Sequence, residues 1–187
     1  MNYELGIMGI RKKLFLVVFL FIIHYSLFII HAHASTNIIP DSPPVYNQWA
    51  WNDVIGWIDF YGTNTVNVKA DKIDGYASND AVGYISLDCA TGPAGSSCAI
   101  PYKVANDASG NLSGWAWSEN IGWISFSYLT GGGGVPYGVT ITPATGDFSG
   151  WAWNDVIGWI SFNCGNTTTC SSGVNYRVKT LAGGNSV

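Results

Sequence analysis

The sequence predicts an all-β protein of four three-stranded antiparallel meander repeats that close into a barrel-like or propeller-like ring. Three observations predict this fold. One aromatic pattern occurs four times along the chain. The segments around it are short runs of aromatic and β-branched residues separated by Gly, Asn, Asp and Pro, which are typical of strands and turns. The first copy lacks the strand that precedes the other copies, and an extra strand of this kind follows the last copy.

The chain begins with a segment that has the three parts of a secretory signal peptide. Basic residues at 11–13 precede an apolar run over 14–30, and Ala32-His33-Ala34 supplies the small residues that signal peptidase recognises. We expect cleavage after Ala34, so residues 1–34 are the signal peptide and the mature chain is secreted or held at the cell surface. If the segment were retained, it would be the membrane anchor, and no other membrane contact is expected.

Removal of this segment changes the composition. All three histidines lie within it, so the mature chain has none, which excludes Ser-His-Asp and Cys-His catalysis and His-ligated metal sites. Five basic and eleven acidic residues remain, a net charge of −6 that does not suit nucleic acid or anionic lipid. We therefore expect a protein that is not an enzyme and has no cofactor, no metal and no nucleic-acid partner.

The four copies organise the mature chain. They occupy residues 49–60, 76–87, 115–126 and 151–162 and align without a gap. Each copy has aromatic residues at its first and ninth positions, a Gly at its eighth, and apolar residues at its tenth and twelfth. All nine tryptophans lie in copies one, three and four. Residues 35–48 are expected to be an N-terminal linker and residues 49–187 the four-repeat β domain.

The fourth copy illustrates the three strands expected in each repeat. Strand A covers 137–142, strand B covers 148–153, a tight turn covers 154–157, and strand C covers 158–162. The segments Tyr102-Lys103-Val104, Tyr137-Gly138-Val139 and Tyr176-Arg177-Val178 correspond to one another and mark strand A.

The two ends of the chain predict how the repeats are joined. The first copy has no strand A before it, whereas residues 176–180 resemble a strand A with no B or C after it. Pairing of this last strand with the first hairpin would close the ring and hide its edges. Pairing with a second molecule would instead build a chain of subunits. We favour closure within one chain, and therefore a monomer.

Period-two alternation predicts which side chains share a face. A four-residue turn over 154–157 places Trp153 opposite Gly158, with Trp151, Trp153, Ile160 and Phe162 facing the core. The B-strand tryptophans of the other copies are assigned to the core in the same way: Trp49, Trp51, Trp115 and Trp117. The second aromatic residue of each copy then lies on the opposite face, and we expect these four to form a ligand or partner surface: Trp57, Tyr84, Trp123 and Trp159.

The four cysteines suit an oxidising compartment. Cys89 and Cys164 both lie thirteen residues after the first aromatic residue of their copy, which favours the local disulfides Cys89–Cys98 and Cys164–Cys170. Their spacing does not match the C-x2-C pattern of zinc sites.

An acidic residue recurs in the turn between strands B and C: Asp53, Asp80, Glu119 and Asp155. Such carboxylates could bind calcium or act as the acid and base of a glycosidase. However, each copy supplies a single carboxylate, and Asn-Asp and Ser-Glu suit tight turns whose backbone groups they cap. We assign these residues a structural role and predict no catalytic residue and no metal ligand.

The pattern G-W-A-W-x4-G-W-I-S-F, complete at 114–126 and 150–162, resembles a tandem repeat of predicted exported and surface proteins of bacteria. In that group the turn T-P-x-T-G-D-F-S, present here at 142–149, often precedes it. The resemblance covers about 49–180. It implies a surface location and a repeat architecture, and it implies no active or binding site.

We therefore expect an exported structural or adhesive cell-surface module that acts through multivalent aromatic contacts with a glycan or another surface protein. Two alternatives remain from the sequence. One is a carbohydrate-binding module. The other is a subunit of a self-assembling surface fibre formed by strand exchange.

Overall fold

The computed structural model describes residues 36–91 and 100–181. The predicted signal peptide lies outside these residues. The strands of the described part are, in chain order, β1 (Trp49–Asn52), β2 (Gly56–Asp59), β3 (Asn67–Val68), β4 (Lys72–Asp74), β5 (Tyr76–Asn79), β6 (Gly83–Ser86), β7 (Val104–Asn106), β8 (Leu112–Ser118), β9 (Gly122–Ser125), β10 (Val139–Ile141), β11 (Phe148–Asn154) and β12 (Gly158–Ser161). Two short α-helices, α1 (Tyr128–Gly131) and α2 (Cys164–Thr167), and two 3-10 turns, η1 (Cys89–Thr91) and η2 (Thr169–Ser172), lie between them.

Eight of the strands form a closed antiparallel barrel. Each copy contributes one hairpin, and the four hairpins are β1–β2, β5–β6, β8–β9 and β11–β12. Neighbouring hairpins pair through β2–β5, β6–β8 and β9–β11, and the pairing of β12 with β1 closes the ring. The predicted all-β ring of four antiparallel repeats is therefore confirmed, and it is a barrel.

The A strands lie outside the barrel strands. β7 and β10 pair with the N-terminal parts of β8 and β11, and β3 pairs with β4. The first copy receives its A strand from the end of the chain: the Trp49 N–H donates to the Arg177 carbonyl at 3.1 Å, as the Trp151 N–H donates to the Gly138 carbonyl at 2.9 Å in copy four. The last strand thus pairs with the first hairpin within one chain.

Residues 36–39 complete the seam where the ring closes. Ile38 is 3% exposed and bridges to Thr180, and the Ile39 N–H donates to the Lys179 carbonyl. The Asn37 side chain exchanges two hydrogen bonds of 2.8 Å with the backbone of Val68. This segment occupies the place that the N-terminal parts of β8 and β11 occupy in other copies. Much of the stretch predicted as a linker therefore belongs to the folded domain.

The barrel interior is built from layers to which each copy contributes the same position. All members of these layers are buried: Ala50, Ala77, Ala116 and Ala152; Ile58, Ile85, Ile124 and Ile160; and Phe60, Leu87, Phe126 and Phe162. An eight-stranded barrel has an interior just wide enough for side chains to fill it. Alanines beside the larger side chains suit this narrow space.

The core face predicted for the strand-B tryptophans is wrong because the turn is one residue shorter than expected, whereas the outer face predicted for Trp57, Trp123 and Trp159 is confirmed. Asn154 belongs to the strand and pairs with Gly158, which has a φ of +75°, so the turn contains three residues. Trp153 consequently pairs with Trp159, and Ala152 pairs with Ile160 inside the barrel. The equivalent pairs in copies one and three are the same. All nine tryptophans therefore lie on the outer wall, where none is fully buried.

Candidate binding surface

The four residues predicted to form a ligand or partner surface are exposed on the outer wall. The exposed fractions are 39% for Trp57, 68% for Tyr84, 36% for Trp123 and 40% for Trp159. Because one belongs to each hairpin, the structure distributes them around the barrel and does not gather them into one site.

Trp57, Trp123 and Trp159 each lie at the centre of a cluster of four aromatic rings. In copy one, the ring centroid of Trp57 is 4.6 Å from that of Trp51, 6.3 Å from Trp49 and 5.1 Å from Tyr176. The corresponding distances are 4.6, 6.2 and 5.2 Å around Trp123 and 4.6, 6.3 and 5.3 Å around Trp159. The contacts are edge-to-face, a preferred geometry for aromatic pairs. Three copies thus present nearly identical aromatic clusters.

The fourth ring of each cluster is a tyrosine that the sequence analysis treated as a strand marker only. Tyr102 and Tyr137 lie two residues before β7 and β10, and Tyr176 begins the last A strand. They pack against Trp123, Trp159 and Trp57, respectively. The recurrence of tyrosine at this position was the signal that could have identified it. Because Tyr176 comes from the end of the chain, closure of the ring also completes the first cluster.

Copy two carries a reduced version of the same arrangement. Tyr84 lies 5.7 Å from Tyr76 in a tilted pair, and this copy contains no tryptophan. Its exposed ring therefore lacks the indole neighbours that hold the rings of the other copies in place.

Aspartates hold several indole rings in position. The Trp51 Nε1–H donates to Asp53 at 2.8 Å, and the Trp153 Nε1–H donates to Asp155 at 2.9 Å. The Trp49 Nε1–H donates to Asp41 at 2.8 Å. Two of the turn carboxylates thus orient tryptophans. Within the described ranges, no group of three or more acidic, Cys or His residues is placed to hold a metal ion.

The turns are capped by the asparagine before the acidic residue. The Asn154 Oδ1 accepts hydrogen bonds from the Val156 and Ile157 N–H groups, both at 2.9 Å. Its Nδ2 donates to the Ile121 and Trp123 carbonyls of the neighbouring hairpin at 2.9 and 2.8 Å. Asn52 and Asn79 make the same set of bonds. These buried amides therefore fix adjacent aromatic clusters relative to each other.

Two clefts open beside Trp57. The first has a volume of about 410 Å³ and is lined by Trp57 and Trp49 together with Asp41, Tyr46, Gly173 and Val174. The second, of about 330 Å³, is lined by Trp57, Trp51 and Tyr176 together with Asp53, Val174 and the hydroxyl residues Thr167, Thr169 and Ser172. Trp57 and Val174 line both clefts and so separate them. Apart from Trp57, none of these residues is predicted from the sequence to belong to a ligand surface.

The five basic residues within 36–91 and 100–181 lie elsewhere and are paired with carboxylates. Lys69 and Lys72 contact Asp74, Lys72 also contacts Asp88, and Lys103 lies 3.8 Å from Asp71. Arg177 and Lys179 both contact Asp147. None of these five lines either cleft beside Trp57.

Two of these ion pairs shift pKa values. Burial disfavours the charged form of Asp88, but hydrogen bonds from Lys72 and Thr91 outweigh it and lower the pKa of Asp88. Burial likewise opposes ionisation of Asp147, and the Lys179 ammonium nevertheless holds its pKa below the usual value. Both carboxylates are therefore ionised partners, and Asp88 holds β4 through Lys72 while Asp147 holds the last A strand through Lys179.

The Cys164–Cys170 disulfide predicted from the sequence is present, with a Cα–Cα distance of 5.0 Å. It bridges the loop that carries Thr167, Thr169 and Ser172 past Trp57. Cys89 is disulfide-bonded, and its predicted partner Cys98 lies outside the described residues. The disulfide is compatible with an oxidising, exported compartment. In residues 36–91 and 100–181, no helix has the length and apolar character required to span a bilayer.

Comparisons with family models, with curated proteins and with solved structures give no match to this chain.

Proposed function

We propose that the protein is an exported, non-enzymatic adhesive module of the cell surface that binds through the aromatic clusters repeated around its barrel. The observation that carries the proposal is the equivalence of Trp57, Trp123 and Trp159. Each is more than a third exposed, and each is held by three neighbouring rings. Large aromatic side chains of this kind are enriched among the residues that dominate binding energy.

The position of the clusters supports a multivalent mode of binding. One cluster lies on each of three hairpins of a closed barrel, so the clusters are held on different sides of one rigid body. Linked contacts can raise the overall affinity by roughly 100-fold to 10,000-fold over a single contact when the geometry allows simultaneous engagement. Glycan or protein chains that are long and flexible enough to reach several sides of the barrel at once are the partners that suit this arrangement.

An adhesion assay tests the proposal without knowledge of the ligand. Beads coated with residues 35–187 should adhere to bacterial cell envelopes, and the triple substitution Trp57→Ala, Trp123→Ala and Trp159→Ala should abolish adherence. Tyr128→Ala is the matched control, because this ring is also exposed at 39% but belongs to none of the clusters. Undiminished adherence of a folded triple variant would refute the proposal.

Export is tested on the full-length chain expressed with its signal peptide. We expect N-terminal sequencing of the exported chain to begin at Ser35, the residue after the predicted cleavage site. A chain that keeps residues 1–34 in the membrane would identify the segment as an anchor.

Assembly into fibres is the alternative that uses strand exchange. The pairing between residues 176–180 and the first hairpin occurs within one chain, which favours a monomer. Size-exclusion chromatography distinguishes the two, because a fibre subunit would elute as a concentration-dependent series of oligomers.

A further inference from the structure

The clefts beside Trp57 differ in chemistry from the surface around the equivalent Trp159. The loop before Tyr176 carries the hydroxyls of Thr167, Thr169 and Ser172 into one cleft, and the Cys164–Cys170 disulfide bridges that loop. The loop before Tyr137 contains four consecutive glycines at 131–134, which offer no side chain to a ligand. Copy one therefore combines its aromatic cluster with polar groups that the glycine loop of copy four does not supply.

We infer that the surface around Trp57 binds ligand more tightly than the surface around Trp159 and that its ligand is a neutral oligosaccharide lying across Trp57. This inference rests on the proposed function, because it identifies the ligand class of one of the proposed aromatic contacts.

The aromatic part of the site suits a sugar. The polarised C–H groups on one face of a pyranose ring are attracted to the electron-rich face of an aromatic ring. Trp57 is 39% exposed and lies between two clefts, so a sugar stacked on it has room for neighbouring sugars on both sides. Clefts of about 410 and 330 Å³ are at the small end of the roughly 300 to 1,000 Å³ range of ligand sites. The pair therefore fits a short chain better than one large compact ligand.

The polar part of the site suits sugar hydroxyl groups. One oxygen of the exposed Asp53 carboxylate accepts the Trp51 Nε1–H, which leaves the other oxygen to accept from a ligand hydroxyl. The Thr167, Thr169 and Ser172 hydroxyls can both donate and accept. A few oriented polar groups beside an apolar platform provide orientation and specificity in ligand sites.

The charge of the site selects a neutral ligand over an anionic one. Asp41 and Asp53 line one cleft each, and no basic residue of the described part of the chain lines either. The five basic residues of the described part already contact carboxylates. An oligosaccharide with uronic or sialic acid groups would therefore meet negative charge with no compensating cation.

The test begins with an array of neutral and acidic oligosaccharides probed with residues 35–187. We expect binding to neutral oligosaccharides and none to acidic ones of similar length. Tryptophan fluorescence titration with the best neutral oligosaccharide then compares Trp57→Ala with the matched control Trp159→Ala. The first should weaken binding by at least about ten-fold, as expected for a central aromatic contact, and the second by less than about two-fold, as expected for a peripheral residue.

A second variant protects the test against misfolding of Trp57→Ala. Val174 lines both clefts and is 42% exposed, so Val174→Asp should leave the barrel folded while placing a charge in the site. It should weaken binding of the neutral oligosaccharide as strongly as Trp57→Ala does.

The outcomes separate this inference from the proposed function. Equal losses in Trp57→Ala and Trp159→Ala would overturn the inference while supporting equivalent multivalent contacts. Preference for acidic oligosaccharides, or no binding to any oligosaccharide on the array, would also overturn it. In those cases adherence of coated beads to cell envelopes still decides the proposed function.

Discussion

The buried turn residues Asn52, Asn79 and Asn154, which join neighbouring hairpins and are here called the asparagine ladder, give the sharpest test of the fold. Asn154 is 1% exposed and joins two hairpins through four hydrogen bonds. Asn154→Ala removes all four and leaves the Ile121 and Trp123 carbonyls and the Val156 and Ile157 N–H groups without these partners. A hydrogen bond contributes roughly 0.5 to 1.5 kcal/mol net. We therefore expect the free energy of unfolding to fall by roughly 2 to 6 kcal/mol.

Urea denaturation measures this loss directly, and thermal unfolding should show a Tm lowered by at least about 4 °C, since each kcal/mol corresponds to about 2 to 4 °C in a domain of this size. Val156→Ala is the control in the same turn, because Val156 is 68% exposed and its side chain takes no part in the ladder. It should change stability by less than about 0.5 kcal/mol. If Asn154→Ala cost no more than this control, the ladder would not be what joins the hairpins.

In copy three the same interaction can be tested by restoring stability instead of removing it. Ser118 replaces the ladder asparagine there, and the Asn120 Nδ2 donates to the Val82 carbonyl at 3.1 Å instead. Asn120→Ala should therefore destabilise the barrel, and adding Ser118→Asn should restore part of the loss. Failure of the second substitution to restore any stability would contradict the equivalence of the four positions.

Three further perturbations test closure, charge and the disulfide. Deletion of residues 174–187 should abolish cooperative unfolding, because it removes the strand that completes the first copy. A synthetic peptide of those residues should restore cooperative unfolding. A stable truncated monomer would contradict closure of the barrel by the last strand. Folding lowers the pKa of Asp147, so the stability that its carboxylate contributes is present above the unfolded pKa near 3.8 and is lost as pH falls through the folded pKa. The difference in free energy of unfolding between wild type and Asp147→Asn, measured in urea, should therefore narrow from pH 7 to about pH 3. A constant difference would contradict the pairing with Lys179. Replacement of Cys164 and Cys170 by Ser should cost roughly 2 kcal/mol from the short loop that they close, measured in urea, and an unchanged midpoint would show that the bridge does not constrain the unfolded chain.

The repeat pattern was sufficient to predict the ring, but a single turn residue decided the faces. Strand B of copy four was expected to end at residue 153, and it ends at Asn154. Asn-Asp is a common turn sequence and therefore predicts Asn154 in the turn, whereas its side chain caps the turn from within the strand. Since side chains alternate with a period of two, this one-residue difference exchanges the inner and outer faces of strand B and leaves those of strand C as predicted. The tryptophans consequently form an outer surface, and alanines fill the barrel.

The seam could not be predicted from local patterns because its partners are far apart in sequence. Ile38 follows the predicted signal peptide closely and resembles no part of the aromatic repeat. Its role depends on Thr180 and on the backbone near Val68, which only the closed ring brings together. The residues that line the cleft could not be predicted for the same reason, because Asp41 and Val174 lie beside Trp57 only in the closed barrel. The exposed aromatic residues themselves were predictable from their recurrence.

The small interior has a consequence for how this protein could evolve. A fifth hairpin would make a ten-stranded barrel, whose diameter grows with the number of strands. The Ala and Ile layers would then surround a void, and each unfilled volume in a core lowers stability. The number of hairpins is therefore fixed by the side chains that meet on the axis, unlike in an open solenoid that can lengthen by duplication. Diversification is left to the loops outside the barrel, such as the bridged loop beside Trp57.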